Sequence, residues 1–193
     1  MHMLDVCSLI MMSTPVMDRF ALVEPCPWDR TAILSELLGE LGSLAHCCQH
    51  WDGFKRGQPS REKMADECSD VLFILLRLAR QDCLELPDSL EYSPIDPSRA
   101  TALILELGQA FSRLSTPTQA SQETLIAMLK RLAQLAVCLD FDLVSAHRHE
   151  MEIAMQFFVV CGDRWPKPQW HRHPLAAWRL RNMLREKKQW LDR

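Results

Sequence analysis

The sequence predicts an all-α protein built as a bundle of long helices, and two observations support this fold class. Several leucine-rich segments place their apolar residues three or four positions apart, which is the spacing of one helix face. Strand signals are nearly absent, because the chain has one tyrosine and no alternating apolar segment bounded by hairpin turns. We therefore expect at least four long helices and no β-sheet.

Cap and turn residues place the first helices. Asp29 is an N-cap candidate for a helix that runs to the loop at 52–59. Ser60 then caps a second long helix that ends near position 83. Asp96 followed by Pro97 is the start signal of the next helix.

The chain divides into four parts at its proline-rich breaks. From the N-terminus these are a loosely organised segment at 1–25, a unit with acidic motifs at 26–97, a second helical unit at 98–162 and a basic C-terminal helix at 163–193. The second unit echoes the helices of the first. On one register of that echo, Thr124 stands in place of Glu67 and Ala127 in place of Asp70, so the copy lacks the acids. The two units are then expected to pack as pseudo-twofold partners, unless the echo only reflects two leucine-rich helix pairs.

The composition of the chain limits its expected binding partners and its expected cellular location. With 193 residues, 48% of them hydrophobic, the chain can bury a core, and its net charge of −3 predicts no general nucleic-acid binding. Without a run of about eighteen apolar residues we expect no membrane partner. The 8 cysteines form neither a CxxC pair nor a disulfide framework, which favours a reducing, cytoplasmic location.

The most informative stretch is the acidic motif Glu67-Cys68-Ser69-Asp70, which opens the apolar run at 71–79. Residues i and i+3 of a helix share a face, so Glu67 and Asp70 point the same way at the edge of a core. Carboxylates in that position are costly unless something pairs with them. A divalent cation is one such partner, because hard cations prefer oxygen ligands.

A second acidic pair, Glu36 and Glu40, lies on the preceding helix. Glu40 continues an apolar stripe that includes Leu37, whereas Glu36 lies one position aside, about 100° around the helix. The alternative is that this pair is solvated, while Glu67 and Asp70 favour the positive end of their helix dipole. Two inward-facing pairs on successive helices favour a shared metal site with these four acids as candidate ligands.

These motifs resemble the MazG-like family of all-α nucleoside triphosphate pyrophosphohydrolases, whose signature is ExxE, a spacer and ExxD. Glu67 and Asp70 match the second half, and Glu40 matches the end of the first half. Cys-Pro-Trp-Asp-Arg at 26–30 resembles the CPWD element that precedes the helices in that family, and the likeness covers roughly residues 26–90. The family's first acid falls at position 37, which is Leu37 here, and Glu36 is the nearest carboxylate.

The resemblance implies Mg²⁺-dependent cleavage of a ribo- or deoxyribonucleoside triphosphate to the monophosphate and pyrophosphate. Glu40, Glu67 and Asp70 would be the catalytic acids, and with Glu36 they would hold the metal, which neutralises phosphate oxygens and activates water. The family forms its helical bundle as a homodimer or as fused repeats. The second unit of this chain resembles a fused partner, and a homodimer is the alternative.

Four further residues are candidates for substrate binding. Lys55 and Arg56, in the loop between the acidic helices, are placed to contact phosphate, or are solvated loop charges. Trp28 and Trp51 are candidates for stacking on a base, or are core residues. Two other interpretations of the chain stay open: a non-catalytic MazG-like protein whose site is broken at Leu37, and a helical interaction module whose acids are structural.

Overall fold

Helices make up most of the structure, so the predicted all-α class is confirmed. The computed structural model describes residues 1–57, 61–94, 99–114, 120–162 and 165–191. Its helices are α1 (Val6–Val23), α2 (Arg30–Trp51), α3 (Arg61–Gln81), α4 (Ala100–Leu114), α5 (Ala120–Cys138), α6 (Leu143–Cys161) and α7 (Pro174–Leu191). Two short strands, β1 (His2–Asp5) and β2 (Ser89–Tyr92), pair antiparallel. The expectation of no sheet is therefore wrong in this one detail.

Aspartate side chains begin several of the helices. Asp29 Oδ1 accepts a hydrogen bond of 2.8 Å from the backbone amide of Ala32, so the predicted N-cap of α2 is confirmed. Asp5 and Asp142 cap α1 and α6 in the same way. Each cap satisfies an amide that the first helical turn leaves without an intrahelical partner.

The end of α2 is tied to the start of α4. Asp52, just after α2, accepts hydrogen bonds from the backbone amides of Ala100 and Thr101 at 3.0 and 2.8 Å. This aspartate therefore caps a helix that starts far along the chain. The cap predicted at Ser60 and the start signal predicted at 96–97 lie outside the described residues.

The N-terminal segment is a helix that belongs to the core, so the expectation that residues 1–25 are loosely organised is wrong. α1 buries Leu9 and Val16 against the rest of the bundle and packs on α3 and α6. This helix is difficult to predict from the sequence because Ser13 and Pro15 interrupt its apolar pattern and lower its intrinsic helix propensity. Packing against other elements stabilises it instead.

α1 is also the one helix among the described residues that is long and apolar enough, by length and composition alone, to cross a membrane. A core helix of a folded domain passes the same test. Here Ser13, on the inner face of α1, is fully buried and shares a hydrogen bond with His147 on α6. The absence of a membrane partner stays a prediction.

Two consecutive helix pairs form the centre of the bundle. α2 packs against α3 and α4 packs against α5, and the pairs meet through contacts of α2 with α4 and of α3 with α5. Their shared core includes Ile33, Leu37, Leu44, Leu72, Leu75, Leu107, Leu129 and Leu132. The pairing of α2 with α4 and of α3 with α5 is the arrangement that a pseudo-twofold axis would produce, and that symmetry stays a prediction.

Two further helices cover one side of this centre. α6 packs against α1 and α3, and α7 packs against α6 and α3. Gly162 ends α6 with a φ of 54°, a left-handed conformation that glycine adopts without strain. α7 buries Ala177 and Leu180 against Val160 of α6, so the C-terminal helix packs onto the body of the protein.

Candidate active site

Three acidic side chains converge where α2 and α3 lie side by side. Glu40 of α2 and Glu67 and Asp70 of α3 each offer a carboxylate oxygen, and these oxygens lie within 4.8 Å of one another. Within the part of the chain that the structure describes, this is the one group of three or more acidic, histidine or cysteine side chains with metal-binding spacing. The structure thus brings together three of the four acids that the sequence singles out.

The three carboxylates have different surroundings. Glu67 is 7% exposed and accepts a hydrogen bond from Lys63 Nζ, one helical turn earlier. Asp70 faces an open cavity, so solvent reaches it, while the protein encloses it on its other sides. Burial, followed by the negative charge of Glu40, raises the pKa of Asp70 to about 7. Burial and then the charge of Glu36 raise the pKa of Glu40 as well.

Glu36 and Leu37 lie on different sides of α2. Glu36 is exposed and lines the cavity beside Glu40, but it is not one of the three converging acids. Leu37 is fully buried in the hydrophobic core and does not line the cavity. The helix therefore presents positions 36 and 40 to the site and turns position 37 away from it.

A cavity of about 570 Å³ is lined by two of the converging carboxylates, Glu40 and Asp70, while Glu67 lies outside its lining. This volume lies within the range of small-molecule binding sites in proteins. One end is acidic and holds Glu36, Glu40, Asp70 and Glu150. The remaining wall is largely apolar and combines aliphatic side chains with an aromatic cluster that includes Phe20, Trp28, Phe73, Phe157, Phe158 and Trp165.

The aromatic wall is held by contacts between its own rings. Phe158 and Trp165 stack with ring centroids 4.5 Å apart and an angle of 24° between their planes. Phe20, from α1, meets both rings edge-on, at 4.9 Å from Phe158 and 5.6 Å from Trp165. Such offset and edge-on arrangements are the favoured geometries of aromatic pairs, so the wall is preformed.

A polar pair borders the aromatic wall. Arg77, two turns after Asp70 on α3, donates hydrogen bonds of 2.9 and 2.7 Å to the two carboxylate oxygens of Glu24. The same guanidinium lies 4.1 Å from the centroid of the Trp28 ring. Both residues line the cavity. The structure therefore places Trp28, one of the two tryptophans that the sequence predicts to stack on a base, in the cavity wall.

The structure does not bring the other three predicted substrate contacts to this cavity. Lys55 and Arg56 are exposed, and Lys55 Nζ lies 2.8 Å from His46 Nδ1. The loop folds back onto the end of α2, where Gly57 O lies 3.1 Å from His50 Nδ1. Trp51 is half-buried and packs against the core. Lys63, which the sequence did not indicate, is instead the basic residue beside the acids.

Several cavity residues escaped sequence reasoning. Phe73 and Arg77 follow the predicted Asp70 at steps of three and four on α3, so the sequence contained a signal for these two residues, but the segment was attributed to the core. Glu24 of the N-terminal segment and Glu150 of α6 had no such local signal. They reach the cavity only because α1 and α6 pack onto α3.

No protein-family model, no curated protein and no solved structure matches this chain. The protein is an all-α bundle with three converging carboxylates, two of which, Glu40 and Asp70, line a cavity that also contains a cluster of packed aromatic rings.

Proposed function

We propose that the protein hydrolyses a nucleoside triphosphate to the monophosphate and pyrophosphate in the presence of Mg²⁺. The observation that supports this proposal is one cavity whose lining combines two of the three converging carboxylates, Glu40 and Asp70, with a cluster of aromatic rings. The acidic end suits a cation that carries a triphosphate, and the aromatic end suits a nucleobase. The class of reaction is inferred from the resemblance of the Glu40 and Glu67–Asp70 motifs to those of MazG-like pyrophosphohydrolases.

The donor set fits Mg²⁺. Glu40, Glu67 and Asp70 offer carboxylate oxygens, which are the ligands of hard cations, and Mg²⁺ needs only a few of them because it retains several waters. When bound, Mg²⁺ supplies neutralisation of phosphate charge and acidification of the attacking water. Repulsion among the acids and their partial burial disfavour the metal-free site, which favours a cation there.

The other cavity residues would hold the substrate in place. Trp28 offers a ring face for a base, and the bidentate pair of Arg77 with Glu24 keeps that ring in one position. The packed rings of Phe20, Phe158 and Trp165 would exclude water from the base end. These contacts orient the triphosphate toward the acids, and orientation of reactants is a large part of enzymatic rate enhancement.

We further propose that α4 and α5 act as a fused partner for α2 and α3. They pack against the acidic helix pair as a second subunit would, and the positions assigned to the acids carry Thr124 and Ala127. This arrangement predicts a functional monomer, and a homodimer in solution would count against it.

A second candidate function is nucleotide binding without turnover. Two observations favour it: Leu37 lies in the core where the family has an acid, and Lys63 already pairs with Glu67. Such a protein would be stabilised by a nucleotide but would release no pyrophosphate.

The test is pyrophosphate release from a panel of ribo- and deoxyribonucleoside triphosphates, with Mg²⁺ and with a chelator. We expect release that requires Mg²⁺ and that Asp70→Asn abolishes. A melting temperature raised by nucleotide, with no pyrophosphate from any member of the panel, would support the non-catalytic candidate instead.

A further inference from the structure

We propose that Glu150 of α6 is a further carboxylate of the metal site and replaces the acid that is missing at Leu37. The inference rests on the proposed function and assigns a ligand from outside the acidic helix pair. Glu150 lines the same cavity as Glu40 and Asp70, although it is not one of the three acids whose oxygens lie within 4.8 Å of one another. Its negative charge acts on Asp70 across the interface of α6 with α3.

A buried histidine one turn before Glu150 fixes α6 on the acidic helix. His147 is fully buried, and its Nδ1 lies 2.8 Å from the hydroxyl of Ser69, which stands between Glu67 and Asp70. Its Nε2 lies 2.7 Å from the hydroxyl of Ser13 on α1. Three helices therefore meet at one imidazole ring.

The hydrogen bonds of this ring define its tautomer. The Ser13 hydroxyl donates its proton to the backbone oxygen of Leu9 at 2.8 Å, so it accepts from Nε2–H of His147. Nδ1 is then unprotonated and accepts from the Ser69 hydroxyl. This neutral, fully buried ring sets the register of α6 against α3.

The register decides where Glu150 lies. His147 and Glu150 are three residues apart, so they share a face of α6, and that face is turned toward α3. A carboxylate placed there adds to the repulsion among Glu40, Glu67 and Asp70, which a cation at the same place would offset. Glu152, two residues later, is exposed and lines a separate groove. An acid on α6 can therefore lie away from the carboxylate cluster, and Glu150 does not.

Position 37 could not supply this ligand, because α2 turns it into the core. A metal site requires oxygens at suitable positions and does not require that they come from one motif. α6 therefore provides, from a distant part of the sequence, a carboxylate that lines the cavity in addition to Glu36 and Glu40 of α2.

The experiment is a calorimetric titration of the metal-free protein with Mn²⁺ alone, at low ionic strength. The variants are Glu150→Gln and, as the matched control on the same helix, Glu152→Gln. Melting temperatures check that each variant is folded. We expect Glu150→Gln to weaken Mn²⁺ affinity by about tenfold or more, the size of change that loss of a supporting group produces at metal sites. Glu152→Gln should leave the affinity unchanged.

Three outcomes overturn the inference, and they separate it from the proposed function. Equal or tighter Mn²⁺ binding by Glu150→Gln, with pyrophosphate release intact in the parent protein, overturns the role of Glu150 alone. Equal loss of affinity in both variants would show a general effect of surface charge and also overturns it. A parent protein that binds no Mn²⁺ and releases no pyrophosphate overturns the role of Glu150 and the proposed function together.

Discussion

Arg77 and Trp28 form a cation–π contact in which the guanidinium lies 4.1 Å from the centroid of the indole ring. Glu24 accepts two hydrogen bonds from the same guanidinium. The contact joins α3 to the segment before α2, and it keeps one ring face of the cavity in a fixed position. The nucleobase-binding role proposed for Trp28 depends on this arrangement.

Replacing Trp28 with alanine should weaken nucleotide binding and spare the metal site. Stacking of a base on an aromatic side chain contributes about 1–3 kcal/mol, so the dissociation constant of a nucleotide should rise by roughly tenfold to a hundredfold. Fluorescence or calorimetric titration measures the change. Trp178→Ala is the matched control, because Trp178 is 62% exposed on α7 and does not line the cavity.

The buried imidazole of His147 predicts a pH dependence of stability. Burial lowers the pKa of His147 to about 4, from 6.5. Between these values the unfolded chain binds a proton that the folded protein does not, so this residue makes stability fall as the pH falls. Between pH 6.5 and about 4, this effect lowers the free energy of unfolding by about 3 kcal/mol. Below pH 4 the loss attributable to His147 is complete.

The measurement compares free energies of unfolding of the parent and His147→Gln at several pH values. Asp70 works in the opposite direction, because its raised pKa makes the folded protein take up a proton as the pH falls below about 7. The difference between the two proteins isolates the histidine. The free energy of unfolding of the parent minus that of His147→Gln should decrease from pH 6.5 to 4. A difference that stays constant over this range would refute the assignment of the pH dependence to His147. His171→Gln, at an exposed position, is the control.

Asp70→Asn should separate stability from metal binding. In metal-free buffer above pH 7 the variant lacks a charge that burial and Glu40 disfavour, so its melting temperature should rise. Each kcal/mol corresponds to about 2–4 °C in a protein of this size. Stabilisation by Mg²⁺ should disappear. Glu36→Gln, at the exposed rim, should keep most of that stabilisation and lose activity only modestly.

Leu37→Glu should damage the fold rather than add a further acid to the site. Leu37 is fully buried, and an unpaired buried charge costs roughly 3–5 kcal/mol. Denaturant unfolding measures this loss. Leu38→Glu is the control, because Leu38 is 58% exposed on the same helix turn. A Leu37→Glu protein that is as stable as the parent and more active would show that position 37 reaches the site.

Local patterns were sufficient to predict α2 and α3. The apolar period, the cap at Asp29 and the i, i+3 spacing of Glu67 and Asp70 are all properties of one helix, and each is present in the structure. The convergence of Glu40 with the other two acids needed only the packing of neighbouring helices.

Features that depend on tertiary packing were not predictable. α1 has a weak helical signal and is stabilised by burial, so its aromatic contribution, Phe20, was missed. Glu150 lines the cavity because α6 packs on α3, a contact that includes the hydrogen bond between His147 and Ser69. Lys55 and Arg56 were predicted to contact phosphate because their loop connects the two acidic helices. That loop folds back onto the end of α2 instead, so neither residue lines the cavity.

The central claim is tested most directly by identifying the products formed from a nucleoside triphosphate incubated with the protein and Mg²⁺. Phosphorus NMR distinguishes the two possible cleavages without a coupling enzyme. The account predicts equal amounts of nucleoside monophosphate and pyrophosphate, no diphosphate, and no reaction with Asp70→Asn. Formation of the diphosphate and inorganic phosphate, or identical turnover by Asp70→Asn, would contradict it.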